Sequence, residues 1–121
     1  MRDQTKLRAF ELADKLALEI YRITSKFPRE ELYGLTSQMH RAAVSVPSNI
    51  VEGCARESEA EFLRFLEIAF GSLRELGYQY SLAKRLEYLN TQNKSGASQL
   101  FIEAEKVLGA LIRTIRNSAK A

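Results

Sequence analysis

Apolar side chains recur at three- and four-residue steps along most of the chain, which is the spacing of amphipathic helices. Pro28 ends the first such stretch, because proline disfavours a helical conformation at the residue before it. Ser58 and Glu61 form a capping-box pattern that predicts the start of the third stretch. A polar, turn-rich interval over 90–96 precedes the fourth, with Thr91 or Ser95 as the expected cap. The pattern predicts four helices, over about residues 5–25, 29–56, 59–89 and 92–117.

The second stretch has two different faces. Its small and apolar face consists of Leu35, Met39, Ala42, Ala43, Val46, Ile50 and Gly53. Its polar face consists of Gln38, Arg41, Ser45, Ser48, Asn49, Glu52 and Arg56. Pro47 lies in the middle and predicts a kink, because it removes a backbone donor and clashes with the preceding turn. Gly34 leaves open whether 29–33 is a separate turn or the first turn of this helix.

The predicted fold is all-α, an antiparallel up-down-up-down four-helix bundle that forms a single domain over 1–121, because the connections are short. The third stretch is apolar on more than one face. Its surplus around Phe70, Tyr78 and Leu82 predicts burial against another subunit. Gly71 and Gly77 are expected at points of close backbone approach, since glycine weakens a helix interior.

Composition favours an ordinary globular domain. The chain has 121 residues, 45% of them hydrophobic, and no apolar run approaches the roughly 20 residues that span a bilayer. The first residues lack the apolar segment of a secretory signal, so a cytoplasmic protein without membrane contact is expected. Cys54 is the only cysteine, and its place beside the apolar face predicts a buried thiol.

Residue types that build reaction centres are scarce. His40 is the only histidine, no Cys/His spacing suggests a metal site, and no nucleophile elbow or phosphate-binding glycine loop is present. Glu52 and Glu75 would approach each other if their helices packed antiparallel, as paired carboxylates for acid–base chemistry do. The commoner alternative is an ion pair from Glu52 to Arg56, four residues later. We therefore expect a protein that is not an enzyme and has no metal or cofactor.

The net charge of +3 permits nucleic-acid binding without requiring it. Candidate phosphate contacts are Arg41, Arg56, Arg113 and Arg116. The alternative is that cations near helix C-termini simply favour the helix dipole and solubility. A second set of residues forms a stripe that is expected to serve packing and assembly. It consists of Ser45, Asn49, Glu52, Gly71 and Glu75.

Three segments, Ile20–Pro28, Glu31–Arg56 and Phe62–Leu76, resemble the four-helix-bundle proteins encoded in intervening sequences of bacterial large-subunit (23S) ribosomal RNA genes. The resemblance covers about 10–89. Its most specific positions are Gln38, Arg41, Ala42, Ser45, Pro47, Asn49, Glu52, Gly53, Arg56, Phe65, Leu66, Ala69, Gly71, Ser72 and Glu75. The chain departs from the family at Phe10, where tryptophan is frequent, and carries Cys54 at a variable position.

The resemblance implies an antiparallel bundle that assembles as a ring-like homopentamer, and it brings no catalytic residues. It also implies a looser kinship with the accessory variability-determinant protein of diversity-generating retroelements, a basic pentameric bundle that binds nucleic acid and a reverse transcriptase. The leading hypothesis is therefore an oligomeric protein that associates with RNA or DNA. The competing hypothesis is a scaffold for a protein partner that binds no nucleic acid.

Overall fold

The structure, a computed structural model, describes residues 2–89 and 96–120, with side chains to 118. Four α-helices run over Arg8–Thr24 (α1), Leu35–Cys54 (α2), Glu59–Arg85 (α3) and Ala97–Lys120 (α4). Two short 3-10 helices cover Gln4–Lys6 and Arg29–Glu31. No strand occurs within 2–89 or 96–120. The predicted all-α fold of four helices is confirmed.

The helices close around one apolar core, because α2 packs against α1 and α3 while α4 packs against α3 and α1. All four helices contribute to it, and its largest fully buried side chains are Leu12, Leu16, Ile20, Met39, Val46, Ile50, Cys54, Leu66, Leu73, Leu76 and Leu108. Contacts between α2 and α3 run in opposite order, from Ser45 with Ser72 to Gly53 with Phe62. Antiparallel neighbours produce this order. The kink at Pro47, which lies inside α2, stays a prediction.

The start of α2 is held by Glu31. Its Oε1 accepts a hydrogen bond from the Leu35 N–H at 3.1 Å, and its Oε2 accepts one from the Tyr88 hydroxyl at 2.8 Å. Gly34 is the residue immediately before the helix, and the 3-10 turn Arg29–Glu31 is separate. Of the two alternatives left open by the sequence, 29–33 is therefore the separate turn, and a glutamate side chain in it caps α2.

The turn between α2 and α3 is short and tightly packed. The Ser58 hydroxyl accepts a hydrogen bond from the Glu61 N–H at 3.1 Å, as the capping-box pattern predicts. A Cβ added at Gly53 would lie 3.0 Å from Cβ of Phe65 and 3.1 Å from Cδ1 of Phe62. Glycine is needed here because α3 crosses directly over the end of α2.

Several expectations for α3 and α4 change in detail. Gly71 is open, with no atom within 4 Å of an added Cβ, so no close approach occurs there between described parts of the chain. Phe70 and Leu82 pack partly against the core, whereas Tyr78 is 61% exposed. The predicted caps Thr91 and Ser95 lie outside the described residues.

None of the helices described is both long enough and apolar enough to cross a membrane.

Candidate functional site

Three of the four predicted arginines surround the first half of α3. Arg56 follows the end of α2, and its guanidinium carbon lies 4.9 Å from the centroid of the Phe65 ring. Arg116 on α4 forms an ion pair with Glu67 on the other side of α3. Arg113, one turn earlier on α4, has its Nη1 3.4 Å from the position that a Cβ would take at Gly109, and the Phe70 ring of α3 lies 3.7 Å from the same position. Helix packing thus brings together cations that are far apart in sequence.

Arg41 is separate from this group. It is exposed on α2, where its Nη2 donates a hydrogen bond to the Ser37 hydroxyl at 3.2 Å. Arg56 lies fifteen residues later, which is about 22 Å along the helix axis at 1.5 Å per residue. Arg41 therefore does not share a surface patch with the other three in one chain.

Two further arginines complete the group. Arg64 is exposed on α3, with its guanidinium carbon 5.6 Å from the Phe65 ring centroid. Arg2 lies over the Phe62 ring, 4.1 Å from its centroid, and its Nη1 donates a hydrogen bond to the Arg56 carbonyl at 2.9 Å. No local spacing could have identified these two, because their proximity depends on how α3 folds back over α2. We call this set the arginine band; it consists of Arg2, Arg56, Arg64, Arg113 and Arg116.

Carboxylates neutralise only part of the arginine band. Arg56 Nη2 lies 3.1 Å from Glu52 Oε2, the predicted i,i+4 pair, and Arg116 is paired with Glu67. The other three members take part in none of the ion pairs between the placed side chains. The band therefore holds three arginines outside these ion pairs, and exposed Glu57, Glu59 and Glu61 lie at the start of α3 close to it.

The predicted assembly stripe divides into two parts. Ser45 and Asn49 are half-buried between α2 and α3, where Ser45 Oγ lies 2.7 Å from Ser72 Oγ. The Asn49 amide donates to the Ser45 carbonyl at 2.8 Å and to its hydroxyl at 2.9 Å. These groups are thus occupied within the chain. The other three members, Glu52, Gly71 and Glu75, are exposed.

Glu52 and Glu75 do not form a carboxylate pair. The Ser45–Ser72 contact sets a common level on α2 and α3, and Glu52 lies seven residues beyond it on α2. Glu75 lies three residues beyond it on α3, in the opposite direction. The two carboxylates are therefore about 15 Å apart along the helix axes, too far to act together in acid–base chemistry.

His40 and Cys54 both lie inside the packing. The His40 ring stacks on Tyr21 with centroids 3.9 Å apart, and its Nε2 lies 2.8 Å from the Thr24 hydroxyl oxygen. Burial lowers the pKa of His40 and raises the pKa of the Cys54 thiol, against a smaller opposite effect of Arg2. The Cys54 side chain is buried as predicted. Over 2–89 and 96–118, no cluster of three His, Cys, Asp or Glu residues could hold a metal ion.

These observations define a small all-helical protein with an arginine-rich surface. The chain belongs to the 23S rRNA-intervening sequence protein family, whose sequence model matches residues 5–110. The resemblance seen in the sequence is confirmed.

The structure is also similar to a crystal structure from Bacteroides thetaiotaomicron, described as a protein of unknown function from the S23 ribosomal protein family. The two share 23% identity with a TM-score of 0.76, over 87% of this chain and 95% of the other. At this level of identity, the similarity shows only that the two proteins share a fold. The comparison with curated proteins gives no match.

Proposed function

We propose that the protein is a non-enzymatic, oligomeric four-helix protein that binds the phosphate backbone of RNA or DNA. The observation that carries this proposal is the arginine band, in which five arginines from three parts of the chain meet around the first half of α3. Family membership and the net charge of +3 support it.

The chemistry of the arginine band fits phosphate contacts that carry no sequence information. Arginine offers a planar fork of donors that matches phosphate oxygens, and lysine does not. Contacts to phosphates fix the position of a nucleic acid, whereas base edges specify its sequence. Arg41 is on another part of α2, so it contributes on a second surface of the same chain or through a neighbouring copy.

The binding test measures fluorescence anisotropy of a labelled RNA hairpin and a labelled DNA duplex between about 50 and about 200 mM salt. We expect affinity to fall steeply with salt. Arg113→Gln should weaken binding to both probes and reduce the salt slope by roughly one. Lys106→Gln is the matched control, because it removes the same charge from an exposed position about 10 Å earlier on α4. Absence of binding at low salt, or equal effects of the two variants, would overturn the proposal.

Oligomerisation is proposed through the outward face of α3, as the ring-like homopentamer that the family resemblance implies. Two apolar side chains on this face are exposed, Ile68 by 41% and Tyr78 by 61%. Gly71 lies between them and leaves open space. An exposed apolar surface next to a helix glycine is suited to close contact with a second helix.

Sedimentation velocity at micromolar concentration tests this assembly. We expect one species larger than the monomer, which Ile68→Asp should dissociate. Ile102→Asp is the matched control, since Ile102 is an isoleucine on α4 that is 60% exposed. A monomeric wild-type protein would refute the assembly, and dissociation by the control alone would refute the choice of α3.

The connection before α2 favours a second candidate function, a scaffold for a protein partner. Tyr33 is 92% exposed and Leu32 is 53% exposed, and large apolar side chains side by side in a turn are typical of contact sites. Co-purification with the wild type and Tyr33→Ser compares the candidates. A scaffold retains a protein that the variant loses, whereas recovery of nucleic acid without any protein counts against it.

A further inference from the structure

A cavity opens at the turn between α2 and α3. It has a volume of about 490 Å³ and is lined by Arg2, Ala55, Arg56 and Glu57. With only four lining residues and a wide opening, it suits a polar group held at the surface rather than an enclosed ligand. Two of the four lining residues are arginines of the arginine band, so the cavity is a concave place on the proposed binding surface.

Arg2 is held at the cavity by contacts of its backbone N–H and of its guanidinium. Its backbone N–H donates to the Cys54 carbonyl at 3.1 Å, and its Nη1 donates to the Arg56 carbonyl at 2.9 Å. Its guanidinium lies on the Phe62 ring, 4.1 Å from the centroid. A side chain that is already ordered loses little conformational freedom when it binds a ligand.

Arg56 faces the same cavity and is held between two groups. Glu52 accepts a hydrogen bond from its Nη2 at 3.1 Å, and the Phe65 ring lies 4.9 Å away. The Arg56 Nε is buried and makes no hydrogen bond to any residue that the structure describes. A guanidinium has five N–H groups, and the hydrogen bonds above use one on each arginine. The buried Arg56 Nε is out of reach of a ligand, so the donors that both arginines keep are on their Nη atoms.

We propose that Arg2 and Arg56 bind one phosphate group of a nucleic-acid strand in this cavity. The inference rests on the proposed function and gives it a specific site. Two guanidinium groups beside one cavity offer charged N–H donors to the oxygens of a phosphate. A concave site receives a phosphate at the end of a strand or one displayed by a bent backbone.

Substitution of Glu57 should change phosphate affinity in the direction opposite to substitution of Arg2 or Arg56. Glu57 also lines the cavity, is exposed, and takes part in none of the ion pairs within the described part of the chain. A negative charge beside a bound phosphate is repulsive. Glu57→Gln should therefore strengthen phosphate binding, whereas loss of either arginine weakens it.

The first experiment compares a short single-stranded RNA with a 5′-phosphate and the same RNA with a 5′-hydroxyl, both labelled at the 3′ end. If the site binds the phosphate at the end of the strand, Arg2→Gln should weaken binding of the phosphorylated RNA by about tenfold and remove the preference for it over the 5′-hydroxyl RNA. If the site binds a phosphate within the strand, Arg2→Gln should weaken binding of both RNAs equally. Lys6→Gln is the matched control, because it removes the same charge from an exposed position in the neighbouring 3-10 helix.

A second experiment does not depend on RNA. Inorganic phosphate is titrated into the protein while the side-chain N–H signals of its arginines are followed by NMR, with sodium chloride as the ionic-strength control. Signals of Arg2 and Arg56 should shift with phosphate and not with chloride. Glu57→Gln should lower the phosphate concentration at the midpoint.

The outcomes separate the two proposals. If the wild type binds RNA but Arg2→Gln behaves like Lys6→Gln, the phosphate site is refuted and backbone binding remains. If neither RNA binds, the proposed function is refuted, and the phosphate titration then decides whether the cavity takes the anion. Absence of phosphate-specific shifts at Arg2 and Arg56 overturns the site in either case.

Discussion

Gly53→Ala should destabilise the protein, although alanine is the better helix former. The added Cβ would lie 3.0 Å from Cβ of Phe65 and 3.3 Å from the backbone oxygen of Phe62. Carbon atoms in good contact are about 3.5–4.0 Å apart. Since both atoms are tied to the backbone of α3, the two helices must move apart at their closest point.

The magnitude follows from two opposing effects. Overpacking a tight contact costs about 1–3 kcal/mol, and replacing glycine in a helix gains at most about 1 kcal/mol. Gly53→Ala should therefore lower the free energy of unfolding by up to about 2 kcal/mol. Gly77→Ala is the matched control, because the same substitution on α3 would place a Cβ 3.9 Å from the Phe101 ring, an ordinary contact distance. It should raise the free energy of unfolding by about 0.5–1 kcal/mol.

Urea unfolding followed by circular dichroism measures both changes. Protein concentrations must be equal, because self-association adds to the apparent stability of any variant that assembles. Midpoints should shift in opposite directions with little change of slope. If Gly53→Ala is as stable as the wild type or more so, α2 and α3 are not in close contact at this point and the reasoning fails.

Three further predictions concern single contacts. Hydrogen bonds from the Leu35 N–H and the Tyr88 hydroxyl lower the pKa of Glu31, so its contribution to stability is complete above the usual glutamate pKa of about 4.3 and is lost as the pH falls through the lowered value. Glu31→Gln should therefore reduce the difference in urea midpoint between about pH 6 and pH 3, and an unchanged difference would contradict this. The buried Cys54 thiol has a raised pKa, so its reaction with a thiol reagent should be slow in native protein and fast in urea, and rapid native reaction would contradict its burial. Ser72→Ala removes a 2.7 Å hydrogen bond and should cost about 0.5–1.5 kcal/mol in urea unfolding, whereas no loss would show that the bond adds no net stability.

Patterns within one segment of sequence predicted most of the fold. The Ser58–Glu61 pattern placed the start of α3, and the placement of Cys54 on the apolar face of α2 gave its burial. These features depend on a few neighbouring residues and on the helical period. The sequence left open whether 29–33 belongs to α2; the segment is a separate turn, and its Glu31 caps the helix, a role that depends on the geometry of that turn.

The candidate site was less visible in the sequence. Arg56, Arg113 and Arg116 were identified by charge, but spacing alone could not show that they meet around α3. Arg2 was missed altogether, since it reaches the site by contacting residues more than fifty positions away. Contacts between residues so far apart in the sequence depend on how all the helices pack, whereas a periodic pattern indicates only which face of each helix is apolar.

Contacts hold α2 and α3 together at both ends of the pair. One end is packed closely at Gly53, and at the other Glu31 accepts hydrogen bonds from Leu35, at the start of α2, and from Tyr88, just after α3. Such a pair, built from segments adjacent in the chain, should form early in folding and open last during native-state hydrogen exchange. The exposed ion pairs that join α4 to α3 contribute little to stability and break more readily. In any partial opening that releases α4, Arg113 and Arg116 would leave the arginine band while Arg2, Arg56 and Arg64 stay together.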